Sequence, residues 1–95
     1  MRFIKTKDLK KTEKTGRIGT LEASYDEIIE ELGEPCFGES PDNKIRAEWV
    51  LQFENGMVAT IYDYKEYDIP LEEVTSWSIG GHKAEVADLV TELFE

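Results

Sequence analysis

A chain of 95 residues can build one modest hydrophobic core but not two, and a lone cysteine, Cys36, with a lone histidine, His82, excludes a disulfide scaffold and Cys- or His-based metal sites. The net charge of −10 is unevenly placed: residues 1–17 hold seven Lys or Arg against Asp8 and Glu13, giving +5, and the other four basic and nineteen acidic residues give −15. Such a surface repels nucleic-acid backbones, which argues against direct nucleic-acid binding. With no window apolar enough for a signal peptide or a membrane span, a cytoplasmic location is expected.

A core this small is marginal, so burial between identical subunits is expected to add apolar area. Residues 1–14 read as a basic arm or a short edge strand, anchored early by Phe3 and Ile4, and residues 15–95 as a single domain. Gly16-Arg17-Ile18-Gly19-Thr20-Leu21 sets two glycines around one apolar residue, which predicts a tight turn or a backbone lying close to another group. Ser24-Tyr25-Asp26-Glu27 has the capping-box form and precedes Ile28, Ile29 and Leu32 at helical spacing, so a short amphipathic helix ending at Gly33 is expected. Two prolines and Gly38 then mark a loop over 34–43, pinned by Cys36 and Phe37.

Ile45, Ala47, Trp49, Leu51 and Phe53 alternate with polar residues and run into Asn55-Gly56, which predicts a strand, a two-residue hairpin turn and a returning strand over 57–64. That turn sets Trp49 opposite Tyr62, Leu51 opposite Thr60 and Val50 opposite Ile61. It also sets Glu48 against Asp63, a like-charge pair that needs Arg46 or Lys65 nearby. Both sheet faces are then partly apolar: two helices cover one, and the arm or another subunit meets the other. Residues 66–76 read as a connection looped out by Pro70. Thr75–Ile79 reads as a third strand with Trp77 and Ile79 on one face, ended by Gly80-Gly81, and Lys83–Phe94 as a second amphipathic helix. The fold class is α+β, a small antiparallel sheet with a central Asn-Gly hairpin, a third strand and a candidate amino-terminal strand, packed with two helices.

Chemistry is sparse. Glu48 with Asp63 is the best pair for acid and base work, but it reads more readily as a compensated cross-strand pair. Cys36 or Ser78 with His82 lacks any surrounding nucleophile signature. The chain is therefore expected to act by binding, without catalysis, metal or cofactor. Gly80-Gly81-His82-Lys83 joins a strand end to a helix start, where backbone N–H groups can hold an anion, although two glycines there also serve a plain tight connection. Tyr62, Tyr64, Tyr67 and Trp77 offer flat rings which, with Arg17, Lys65 and His82, can form a cleft for a purine and its phosphates. Trp49 and Tyr62 read more readily as core, whereas Tyr64 and Trp77 fit the core and the cleft equally well.

The segments Thr15-Gly16-Arg17-Ile18-Gly19-Thr20, Phe37-Gly38, Val58-Ala59-Thr60-Ile61-Tyr62-Asp63-Tyr64-Lys65 and Trp77-Ser78-Ile79-Gly80-Gly81-His82, in this order, resemble a widespread family of small bacteriophage proteins, identified as the viral anti-CBASS sponges. The resemblance covers residues 15–94. It implies a homo-tetramer in the host cytoplasm that captures a 3′,3′-cyclic GMP-AMP-type signal, without cleaving it, in pockets built with neighbouring subunits. On the matching motifs Arg17, Lys65 and His82 would meet phosphates, Gly16, Gly19, Gly80 and Gly81 would admit close backbone approach beside Thr20, and Tyr64 or Trp77 would stack on a base. The −15 balance supports a different reading, an acidic inhibitor of a host nucleic-acid enzyme of the anti-CRISPR or anti-restriction type. A nucleotide-degrading enzyme using Glu48 or Asp63 is a third reading.

Overall fold

Of the alternating run from residue 45, only Glu48–Phe53 forms a strand, next to the edge of a five-stranded sheet. The computed structural model describes residues 2–42, 44–64, 66 and 68–95. In chain order its elements are β1 (Phe3–Lys5), β2 (Gly16–Glu22), α1 (Tyr25–Leu32), β3 (Glu48–Phe53), β4 (Val58–Tyr62), β5 (Ser76–Gly81) and α2 (Glu85–Leu93), with short 3₁₀ turns at Leu9–Thr12 and Leu71–Glu73. The strands lie in the order β1-β3-β4-β5-β2, every neighbouring pair antiparallel, so the fold is α+β as expected. No helix among the described residues is long and apolar enough to cross a membrane.

The hairpin differs from the expected two-residue turn. Phe53 N donates to Met57 O at 2.8 Å and Gly56 N to Phe53 O at 2.9 Å, which makes the loop three residues, Glu54-Asn55-Gly56. Gly56 carries the left-handed φ of 88° that such a loop needs at its third position, and Asn55 Oδ1 accepts from Met57 N at 3.0 Å. The extra residue slips the register by one. Trp49 stands opposite Ile61, Leu51 opposite Ala59, Val50 opposite Thr60, and Glu48 opposite Tyr62 rather than Asp63. Trp49, Leu51, Ala59 and Ile61 therefore face the helices together, and Val50 and Thr60 share the other face.

Two further expectations are corrected. Gly16–Leu21 is no turn; it is most of β2, an edge strand paired with β5. Gly80-Gly81 does not follow β5 but forms its last two residues.

The core forms on the helix face. Trp49 and Trp77 meet edge to face at 5.5 Å, and Tyr25 of α1 stacks on Trp77 at 6.2 Å. Each indole N–H holds one end of α1: Trp77 Nε1 donates to Ala23 O and Trp49 Nε1 to Gly33 O, both at 2.9 Å. Ser24 and Glu27 form the expected capping box, and Gly33 closes the helix with φ 79°. α2 lies over β2 and β5, close enough that a Cβ at Gly19 would sit 3.1 Å from the Ala87 methyl and one at Gly81 3.2 Å from Val86.

The opposite face is crossed by residues 6–15, which run from edge strand β1 to edge strand β2. This strap is tied by Thr6 N to Val50 O (3.0 Å) at one end and by His82 Nε2, which donates to Glu13 O (2.7 Å), at the other. Its 3₁₀ turn packs on β4. Beneath it Val50 and Thr60 are buried. The arm thus takes the cover that the sequence left open between it and another subunit.

At the end of β4 the Asp63 carboxylate is 1% exposed and fully engaged. Oδ1 accepts from Arg46 N (2.9 Å) and Ala47 N (3.0 Å), Oδ2 pairs with Arg46 Nε (3.0 Å), and Arg46 Nη2 reaches Glu66 O (2.8 Å). Replacing this acceptor leaves two N–H donors and a guanidinium without their partner. Asp63→Ala is expected to lower unfolding free energy by about 3 kcal/mol in urea melts, and Asp63→Asn to recover only part of it.

Candidate ligand-binding site

β2 contains an extra residue, and the site depends on it. Arg17 pairs with Gly80 and Gly19 with Ile79, so Ile18 is a β-bulge. In an unbroken strand, residues 17 and 20 would point to opposite faces. The bulge resets the alternation: Gly19 faces Ala87 of α2, while Arg17 and Thr20 share the far face, with Arg17 Nη2 donating to Thr20 Oγ1 at 2.7 Å. Across β5 the same face carries Ser76 and Ser78, which alternate with the buried Trp77 and Ile79.

Arg17, Tyr64, Glu66, Ser76, Trp77 and Ser78 border an open cleft of about 230 Å³. Tyr62 stands beside it, its ring edge to face with Tyr64 at 6.5 Å. Burial raises the Tyr62 phenol above its usual pKa, with Arg17 opposing and Glu48 and Tyr64 adding to the shift, which places these four groups in one electrostatic neighbourhood. The Arg17 side chain is exposed and, among the described residues, the only ion pair is Arg46 with Asp63. Two carboxylates limit the positive potential: Glu66 borders the cleft, and Glu22 accepts from Ser76 Oγ at 3.3 Å. One guanidinium, hydroxyl groups, a tyrosine ring and a carboxylate suit a ligand that combines a phosphate with hydrogen-bond donors and a flat ring.

The other expected contacts are dispersed. His82 lies in a separate cleft of about 300 Å³ with Lys83, Val86 and the hairpin residues Asn55, Gly56, Met57 and Val58, its Nε2 engaged by Glu13 O. Trp77 is 1% exposed, and its ring belongs to the core, so it offers no stacking face to a base. Gly19 and Gly81 serve the approach of α2, while Gly80 lies against Thr60. Gly16 is open, with no heavy atom within 4 Å of where a Cβ would stand. Lys65 and Tyr67 fall outside the described residues. Of the expected contacts, Arg17, Tyr64 and the buried Trp77 border one cleft, and Thr20 joins them through its hydrogen bond to Arg17. Ser76 and Glu66 were not expected there; the alternation through β5 carried the signal for Ser76, and nothing in the local pattern marked Glu66.

The acid pair is not assembled either. Asp63 turns inward to Arg46, and Glu48 remains half-buried beside Tyr62, where burial pushes its carboxyl above the usual range. A raised folded-state pKa means that the ionised form costs stability at neutral pH, and that the cost disappears as pH falls through the folded value toward the ordinary glutamate range near ~4.3. Glu48→Gln is therefore expected to unfold at higher urea concentration than the parent at pH 7, with the two curves converging at about pH 4. Gly80 yields a second test. A Cβ there overlaps Thr60 Oγ1 in a buried site, so Gly80→Ala is expected to cost about 1–3 kcal/mol, most of it recovered when measured against Thr60→Ala as background.

The chain matches no protein-family model, no curated protein and no solved structure.

Proposed function

We propose that this protein is a bacteriophage anti-defence sponge, which binds a cyclic dinucleotide of the 3′,3′-cyclic GMP-AMP type and holds it without cleavage. The observation that carries the reading is the exposed Arg17 guanidinium, set by the Ile18 bulge beside Thr20 and across a cleft from Tyr64. Arg17 meets a phosphate, Tyr64 packs on a base, and Ser76, Ser78 and Glu66 accept or donate to sugar and base edges. A cleft of about 230 Å³ suits one nucleotide half of such a ligand, and a neighbouring subunit supplies the rest. Asp63 is committed to Arg46, which supports retention of the intact ligand over hydrolysis.

Calorimetric titration with a panel of cyclic dinucleotides tests this directly. Arg17→Ala and Tyr64→Ala are expected to weaken binding by about tenfold or more each, and denaturing the complex should return unaltered nucleotide. His82→Ala should leave affinity unchanged when one chain forms the phosphate site; a loss matching that of Arg17→Ala would mean that the His82 cleft of a second protomer takes part. Absence of heat or thermal shift with every ligand tested, the protein remaining folded, ends the proposal.

A second reading draws on the helix layer. Asp26, Glu27, Glu30 and Glu31 of α1 and Glu85, Asp88 and Glu92 of α2 are all exposed, neither helix carries a basic residue, and both helices cover the same side of the sheet. An acidic face of this kind suits an inhibitor that occupies the nucleic-acid channel of a host enzyme. Charge reversal at Glu30, Glu31, Asp88 and Glu92 abolishes that activity and leaves nucleotide binding intact.

A further inference from the structure

The strap between β1 and β2 carries features that neither the sheet nor the Arg17 cleft uses. Lys7, Lys10 and Lys14 are exposed and Lys11 is half-buried, on a chain whose residues after Arg17 sum to −15. None of these lysines lies within 4.0 Å of a carboxylate, the one ion pair among the described residues being Arg46 with Asp63. They lie across the side of the sheet opposite the acidic helices. The strap's 3₁₀ turn buries no side chain, and Leu9 at its start is 64% exposed.

Leu9 also borders an apolar recess of about 260 Å³, formed with Phe37, Pro41 and Ile45 of the loop before β3. Of the four large apolar residues most exposed among those described, Leu9 and Ile4 belong to this amino-terminal segment, and Ile4 is likewise 64% exposed. The strap is tied by Thr6 N to Val50 O and by the His82 ring to Glu13 O, hydrogen bonds in which neither the lysine side chains nor Leu9 takes part.

We infer that the strap and the Leu9 recess form a docking surface for an acidic protein segment that carries apolar side chains. The lysine row meets its carboxylates, and one of its apolar residues seats against Leu9, Phe37 and Ile45. Charge complementarity selects an anionic partner, and the exposed leucine beside an apolar recess selects protein over nucleic acid, whose backbone has no use for Leu9 and whose dense charge is opposed by the remainder of the molecule. Glu39 and Glu48 border the same recess, so the seated residue is uncharged and the partner's carboxylates lie toward Lys10, Lys11 and Lys14.

Fluorescence anisotropy on the full chain tests this with three labelled probes: a short peptide alternating glutamate with leucine, polyglutamate of the same length, and oligothymidylate. The leucine-containing peptide is expected to bind most tightly, with an affinity that falls as salt rises. Leu9→Ser is expected to weaken it by about tenfold, and Lys10→Glu with Lys11→Glu and Lys14→Glu by at least as much. Urea melts of each variant confirm that the fold is retained, which the exposure of Leu9, Lys10 and Lys14 favours. Binding of oligothymidylate more tightly than the peptide, equal binding of polyglutamate with no effect of Leu9→Ser, or no binding of any probe each overturns the inference.

Discussion

The register of the central hairpin rests on what is done to its two ends. At the closed end a three-residue loop with Gly56 in the left-handed region fixes which residues oppose one another. At the open end the Asp63 carboxylate gathers two backbone N–H groups and a guanidinium from Arg46 and Ala47, so the chain entering β3 is tied to the chain leaving β4. A slip of one position, with β4 held in place, would turn Trp49 and Leu51 away from the helices and bring Val50 to them, leaving Ala59 and Ile61 without their partners. Everything outside the hairpin is placed by that choice, because the indoles of Trp49 and Trp77 hold the two ends of α1 and the strap lies over Val50 and Thr60.

The sequence announces these elements more clearly than their alignment. Alternation from Ile45 to Phe53 and the Ser24–Glu27 capping box are local signals, and each points to the element that forms. The register differs from expectation because Asn55-Gly56 is equally the centre of a two-residue turn and the latter part of a three-residue loop, and local residues do not separate the two. The burial of Asp63 is likewise hidden. A carboxylate at a strand end usually faces water, and what draws this one inward is a pair of N–H groups and an arginine seventeen and sixteen residues earlier in the chain.

For the site, Arg17 is legible as an isolated cation beside glycines, but its partners are not. An edge strand with a bulge and a glycine-rich turn look alike in Gly16–Leu21, and only the ladder with β5 shows that Ile18 is the inserted residue. The glycines that suggest a close approach to a ligand do allow close approach, but to protein: Gly19 and Gly81 to α2, and Gly80 to Thr60. Ring-bearing residues divide in the same way. Trp77 joins the core, whereas Tyr64 stays at the surface beside Arg17, with 45% of it exposed.

The route of the strap has a consequence for how the chain acquires its shape. The first two strands to leave the ribosome end up at opposite edges of the sheet, where Phe3 pairs with Phe53 and Gly16 with Gly81. β1 has no partner until residues 48–53 have been synthesised, and β2 waits longer still, until residues 76–81 follow. Most contacts therefore join distant parts of the chain, which slows folding relative to a helical bundle of the same length. It also makes the basic, soluble composition of residues 5–14 useful while the nascent chain is still unfolded, since it keeps the waiting segment from associating with other chains.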